Sequence, residues 1–354
     1  MKAWENNIRK VVPYVPGEQP KLDKMIKLNT NENPYPPAPG VFDALKGFDA
    51  DRLRLYPDPV VDKLNTAIAQ YYGVGADQVF SGVGSDDVIA MIFMTFFNSD
   101  KPILFPDITY SFYDVWADML KIPYEQNPLD GEFKLVKADY YKANGGVIFP
   151  NPNAPTGELL ELSEIRDIIE HNQDVIVVID EAYIDFGGVS ALSLINEYDN
   201  LIVTQTFSKS RSMAGSRIGF AISNPTLIKY LNDVKYSFNS YTMDSVTIEL
   251  GTAAIKDDEY FKETTSKIIA TREWTKKELS RLGFTFRDSK SNFIFAKHNS
   301  VPGIEIFEAL KAQNIFVRRF NNPERIKDYL RISIGTDEEM RIFIDFLEKY
   351  LKEN

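Results

Sequence analysis

The chain has 354 residues, 44% of them hydrophobic and 26% charged, which is enough for a large core and two domains and argues against disorder. A net charge of −11 speaks against nucleic acid as a main partner, because phosphate backbones need clustered Lys and Arg; any anionic ligand has to be held locally. With no cysteine and only two histidines, His171 and His298, the chain has little from which to build a thiolate nucleophile, a His-based triad or a zinc site, and no metal is expected.

Residues 1–40 are dense in proline (Pro13, Pro16, Pro20, Pro34, Pro36, Pro37), which forbids regular helix and predicts an extended arm. The N-terminus lacks a signal-peptide apolar core. No run approaches the roughly 20 apolar residues needed to cross a bilayer, so a cytoplasmic protein without a membrane partner is expected.

After the turn Arg54-Leu-Tyr-Pro-Asp-Pro59, residues 61–72 have helical spacing and Gly73 as a stop. The segment Gly82-Val-Gly-Ser-Asp-Asp87 leads into an apolar helix. Ser85 or Asp86 is expected to cap it, and unpaired N–H groups at such a start form an anion cradle. Strands are expected at 101–106 and 147–149, with a helix opening at 109–113 between them. The second strand ends in Pro150-Asn-Pro-Asn-Ala-Pro-Thr-Gly157, which can form no regular structure. A helix is expected at 163–171.

The run 175–179 reads as a buried parallel strand and ends abruptly in Asp180-Glu-Ala-Tyr183. A carboxylate at the end of such a strand needs a cationic partner. Another short strand, 201–204, precedes Thr206-Phe-Ser-Lys-Ser-Arg-Ser-Met-Ala-Gly-Ser-Arg217, where hydroxyls and an arginine surround a loop lysine. Residues 225–290 read as helical with a break at 235–241. A smaller α+β unit follows, with strands at 293–296 and 330–334 and a terminal helix.

Asp180 and Lys209 lie 29 residues apart (209 − 180 = 29), at the ends of two strands separated by one crossover, a spacing that can bring both to one sheet edge. Pyridoxal 5′-phosphate asks for this pair. Its aldehyde bonds a lysine, its ring nitrogen stays protonated beside a buried Asp, and its phosphate needs hydroxyls, an arginine and helix-terminal N–H groups.

These residues fall within Leu28-Asn-Thr-Asn-Glu-Asn-Pro-Tyr35, Tyr56-Pro-Asp-Pro59, Gly82-Val-Gly-Ser-Asp86, Asn151-Pro-Asn-Ala-Pro-Thr-Gly157, Asp180-Glu-Ala-Tyr183, Thr206-Phe-Ser-Lys209, Ala214-Gly-Ser-Arg-Ile-Gly219 and Leu330-Arg-Ile-Ser-Ile-Gly335. In that order, over nearly the whole chain, they resemble the fold-type I, class II aminotransferases, and among these the histidinol-phosphate aminotransferase family. The resemblance implies an α/β fold with a mostly parallel central sheet flanked by helices, divided into an arm (1–40), a large cofactor domain (41–270) and a small α+β domain (271–354).

By the same resemblance, Lys209 would bond the cofactor and carry the reaction's proton, Asp180 would pair with the ring nitrogen, and Tyr183 and Asn153 would reach the ring's phenolic oxygen. Thr206, Ser208, Arg217 and the backbone N–H groups at Ser85–Asp86 would hold the phosphate, Gly84 would also belong to the cofactor site, and Tyr110 would stack on the ring. Tyr56 would come from the partner subunit, making a homodimer. Arg331 and Arg318 are the implied substrate anion site, with Tyr14 and Asn31 on the arm. Histidinol phosphate and L-glutamate/2-oxoglutarate are the implied substrates. An aromatic amino-acid aminotransferase or a phospho-amino-acid decarboxylase on the same fold is the alternative, and a non-enzymatic cofactor-sensing module is one of another class. The loop Ser210-Arg-Ser-Met-Ala-Gly-Ser216 departs from the family, Arg211 most of all.

Overall fold

The computed structural model describes residues 2–22 and 24–353, so residues 1 and 354, the outer ends of the expected arm and small domain, lie outside the described residues. In chain order the arm contributes β1 (Ile26–Leu28), followed by α1 (Pro39–Lys46), α2 (Asp62–Tyr72), β2 (Val79–Gly82), α3 (Ser85–Phe96), β3 (Ile103–Pro106), α4 (Tyr113–Leu120), β4 (Tyr124–Asn127), β5 (Gly146–Pro150) and α5 (Leu162–Glu170). Then come β6 (Val177–Asp180), β7 (Leu201–Thr206), β8 (Gly219–Ile222), α6 (Pro225–Phe238), α7 (Ser245–Lys256) and α8 (Asp258–Arg281). The chain closes with β9 (Phe284–Phe286), β10 (Phe293–His298), α9 (Gly303–Ala312), β11 (Ile315–Arg319), β12 (Leu330–Ser333) and α10 (Asp337–Glu353).

Seven strands form the large sheet in the order β2-β8-β7-β6-β5-β3-β4. The pairs from β4 through β7 are parallel, and β8 runs antiparallel to both β7 and β2, so the sheet is mostly parallel as expected. Its central strands are apolar throughout because both faces are covered. Val177 and Ile179 join the core on one face with Leu201 and Val203, while Val178 and Ile202 join the other. The second sheet, β1-β11-β12-β10-β9, carries its own core around Phe293, Ile332 and Phe343.

Several local expectations shift. The helix stop at Gly73 is met: it adopts φ +68° and returns its N–H to Ala69 O. Ser85 and Asp86 do not cap α3; they are its first two residues. The cap position is Gly84 at φ +87°, and it is Asp87 that reaches back to accept from the Val83 N–H. Helix α4 begins at Tyr113, not at 109. The break after α6 spans 239–244, so Lys235 lies inside the helix, where it is buried and donates to Pro59 O at 2.8 Å. The arm is extended apart from a 3-10 turn (Ala3–Asn7) and β1, which pairs parallel with β11.

Candidate active site

The carboxyl ends of β5, β6 and β7 open into a cavity of about 170 Å³. Pro150, Asp180 and Thr206, the last residues of those strands, all line it. Ligands in open α/β sheets bind at this edge because the strands stop together there and helix N-termini converge on it.

Asp180 is 4% exposed. Tyr113 Oη donates to its Oδ2 at 2.9 Å and the Ala182 N–H donates to its Oδ1 at 3.3 Å. Neither partner is a cation. Burial pushes the carboxyl up to about 6; the two hydrogen bonds oppose the rise and Asp86 adds to it. Lys209 stands across the cavity, its Nζ donating to Thr30 O at 3.3 Å and lying 5.7 Å from the centre of the Tyr183 ring. Tyr183 Oη accepts from Asn31 Nδ2 at 2.9 Å.

At the other end lies a cradle for an anion. Gly84 brings the backbone to the start of α3 with φ +87°, and a Cβ there would stand 2.4 Å from Arg217 Nη2. Arg217 itself adopts φ +52°, a costly conformation for a residue with a side chain. Its Nη2 pairs with Asp86 Oδ2 at 2.9 Å, and Tyr110 Oη donates to Asp86 Oδ1 at 2.6 Å. Thr206 Oγ1 donates to Ser208 Oγ at 3.0 Å and receives the Ser208 N–H at 3.1 Å. Beneath the cradle, Gly219 admits no side chain, since a Cβ would lie 2.2 Å from the Ser85 nitrogen. Gly219→Ala is therefore expected to force β8 and the cradle apart, costing about 3 kcal/mol in a urea melt.

Five residues of this cavity, Thr30, Tyr110, Ala154, Tyr183 and Lys209, also wall a second chamber of about 160 Å³. Arg318 and Arg331 are at its far side, directly opposite one another across the antiparallel pair β11 and β12. That register explains their 13-residue separation (331 − 318 = 13). Arg331 Nη2 donates to Asn29 O at 3.1 Å, and its Nε is buried without a partner among the described residues. Burial pushes the Arg331 guanidinium below its ordinary value, and Arg318 pushes it further. Tyr14 reaches the chamber stacked on Phe112 at 4.4 Å, and Asn31 lines it from a left-handed backbone position at φ +58°. Arg319 points away: its Nε donates to Lys327 O and its Nη1 to Asn321.

Ser85, Asp86, Tyr110, Asp180, Tyr183, Thr206, Ser208, Lys209 and Arg217 thus meet in the first cavity, with Gly84 under Arg217. Arg318, Arg331, Tyr14 and Asn31 meet in the second. Two residues lie elsewhere. The Asn153 amide is turned away from both chambers, donating to Ile108 O at 3.0 Å and Thr156 Oγ1 at 2.9 Å, and its Oδ1 is buried without a partner. Tyr56 is 84% exposed and stacks on Tyr241.

Tyr113, Thr30 and Glu32 were not singled out from the sequence. The signal for Tyr113 was the buried Asp180 itself, which needs donors, but placing the helix start at 109 obscured which tyrosine faces inward.

The donor set fits pyridoxal 5′-phosphate. Asp180 is a buried carboxylate with no cation beside it among the described residues, suited to a protonated ring nitrogen; Lys209 offers an amine, and the Gly84 turn with Arg217 and the hydroxyls suits a phosphate. The family described as aminotransferase class I and II matches residues 23–347. The chain is 51% identical over 350 residues to the histidinol-phosphate aminotransferase of Lactococcus lactis subsp. cremoris, covering 99% of this chain and 98% of the relative. It is 51% identical over 353 residues to the same-named protein of Clostridium beijerinckii, covering 100% and 98%. The crystal structure of histidinol-phosphate aminotransferase from Sinorhizobium meliloti in complex with pyridoxal-5′-phosphate shares the fold, with a TM-score of 0.83 at 23% identity over 93% of this chain and 92% of that one. The chain belongs to the class I and II aminotransferases and is a pyridoxal-phosphate-dependent transaminase.

Proposed function

We propose that the protein exchanges the amino group of histidinol phosphate with 2-oxoglutarate, giving imidazole acetol phosphate and L-glutamate. The observation that carries this is the second chamber. It begins at Lys209 and ends at two arginines that face one another, so an amine placed at the lysine has its anionic end at the guanidinium pair. Two cations directly opposite across a strand pair repel unless an anion lies between them. The relatives' names agree with a phosphorylated amine.

When bound, the cofactor supplies the electron sink into which the substrate Cα–H electrons move. The chain's own residues do the rest. Lys209 Nζ carries the proton. Asp180 would keep a proton on the ring nitrogen through its carboxylate, and Tyr183 Oη, which accepts from Asn31, would be free to donate to the phenolic oxygen. The backbone N–H groups at Ser85 and Asp86, the Thr206 and Ser208 hydroxyls and Arg217 would hold the phosphate end, and Tyr110 would give the ring an aromatic face. We also assign Asn153 to the same oxygen; its Nδ2, which donates to Ile108 O and Thr156 Oγ1, would exchange one of these for the phenolic oxygen.

We also propose a cytoplasmic homodimer in which Tyr56 reaches the partner subunit's phosphate site. Support comes from its exposure amid Leu53, Leu55, Val60, Phe238 and Tyr241, an uncovered apolar group. Among the described residues no helix is long and apolar enough to cross a membrane. The division into an arm (1–40), a cofactor domain (41–270) and a small domain (271–354) remains our proposal, supported by two separate sheets, with β1 as the arm's attachment to the second.

Half-reaction assays test the substrate. Histidinol phosphate is expected to react far faster than phenylalanine or phosphothreonine; the reverse order would favour the aromatic reading, which the Tyr14, Tyr110 and Phe320 walls would also accept. Arg331→Ala is expected to raise KM for histidinol phosphate about 30-fold with kcat changed much less, the loss of a charge-assisted anion contact. An unchanged KM would move the anion site elsewhere.

A further inference from the structure

Two turns meet behind the reacting amine. One carries Tyr183 and, two residues on, Asp185 in the 3-10 turn Ile184–Phe186; the other carries Lys209 and Ser210. Ser210, 2% exposed, donates through Oγ to Asp185 Oδ2 at 2.5 Å. Hydroxyl-to-carboxylate bonds are among the stronger ones, and this one, with Ser210 buried and Asp185 half-buried, favours a single geometry of its partners. Asp185 and Ser210 line neither chamber, so their route to the site runs through Lys209 and Tyr183.

The next residue explains how this carboxylate is tolerated. Arg211 is buried, donates to Ala254 O at 3.1 Å, and has its guanidinium 4.1 Å from the centre of Phe261, 4.6 Å from Tyr71 and 5.6 Å from Phe207. Burial pushes the Asp185 carboxyl up, and Ser210 and the Arg211 charge oppose the rise. From the opposite side the arm grips the same turn, Asn33 Nδ2 donating to Lys209 O at 3.0 Å and Ser210 O at 3.2 Å.

We propose that Asp185 is a positioning residue for Lys209: through Ser210 it locks the lysine's turn onto the turn that bears Tyr183, and so sets where Nζ stands relative to the tyrosine. Asn33 is the second clasp on the same peptide. The assignment rests on Lys209 being the reacting amine. A misplacement of about 1 Å in such a group is worth up to about a hundredfold in rate.

The test uses the holoenzyme and the variants Ser210→Ala, Asp185→Ala and Asp185→Asn. Ser210→Ala and Asp185→Ala are each expected to lower kcat about tenfold, with KM for histidinol phosphate within about twofold. The pH midpoint of the visible absorbance of the lysine-bound cofactor is expected to move by about half a unit in both. The double variant is expected to be no worse than either single one, and Asp185→Asn, which keeps an acceptor for the hydroxyl, to recover most of the rate. If kcat and the absorbance midpoint stay at wild-type values while only thermal stability falls, or if the two alanine effects add, the proposal is overturned. Should Asp185→Ala fail to fold, Ser210→Ala decides alone. A wild-type holoenzyme with no visible absorbance would instead overturn the role given to Lys209, a different failure from an unchanged Ser210→Ala.

Discussion

Replacing Lys209 by alanine is expected to lower kcat roughly ten-thousandfold and to remove the visible absorbance of the lysine-bound cofactor. On the role proposed for Lys209, two separate functions would be lost with one amine: the bond to the cofactor's reactive carbon, and the base for the proton at the substrate Cα. Among the described residues Nζ donates only to Thr30 O, at 3.3 Å, so little structure depends on it. The thermal midpoint of the cofactor-free variant should therefore stay near that of the wild type. Turnover within tenfold of wild type would remove Lys209 from the chemistry.

Asp180→Asn is expected to act with opposite signs on activity and on stability. The amide cannot hold a proton on the ring nitrogen, so the rate should fall about a thousandfold. The cofactor-free protein should become more stable at neutral pH. Asp180 has a folded-state carboxyl raised from an ordinary 3.8 to about 6, so folding takes up a proton between those values. Its penalty is absent below about pH 4, grows as pH climbs, and is complete above about pH 6. It is worth as much as about 3 kcal/mol, which Asn does not incur. Glu181, beside it and raised by burial to about 7, extends the same decline with pH. Urea melts of the cofactor-free wild type and Asp180→Asn at pH 5 and pH 8 check this: the gap between them should widen at the higher pH. A narrowing gap would mean that the Asp180 carboxylate is compensated by charge in the protein alone.

Legibility in the sequence follows the range of the interaction. Asp180 stood out because a fully apolar strand stopped at a carboxylate, and Lys209 because hydroxyls and Arg217 lie near it in the chain. The Arg318 and Arg331 pair was visible as two cations but not as an opposed pair, since the register of β11 on β12 depends on the whole small sheet. Arg319 beside Arg318 could be set aside only once alternation along β11 turned it toward Lys327. Arg211 looked like an oddity in a catalytic loop because its three aromatic neighbours come from positions 71, 207 and 261. The start of α3 was misjudged by one residue. Gly84 takes the cap position because its conformation and the closeness of Arg217 both exclude a side chain, a requirement set by tertiary packing that no local capping rule contains.

The arm has a consequence for how the protein is made. Ile26, Lys27 and Leu28 pair with Ile315, Phe316 and Val317, Asn31 is held by Asn292 and Ser333, and Asn33 fastens the lysine's turn. Residues 26–28 therefore find their strand partner only in 315–317, while Asn31 and Asn33 also bond Tyr183 and the Lys209 turn. On the ribosome the large sheet can assemble while the arm waits, since its strand partner is synthesised almost 300 residues later (315 − 26 = 289). A nascent chain that has already folded its large sheet has no β11 on which to seat β1, although Asn33 and its partners Lys209 and Ser210 are already made. A chain cut before β11 would keep much of the large sheet and lose the pairing that seats β1.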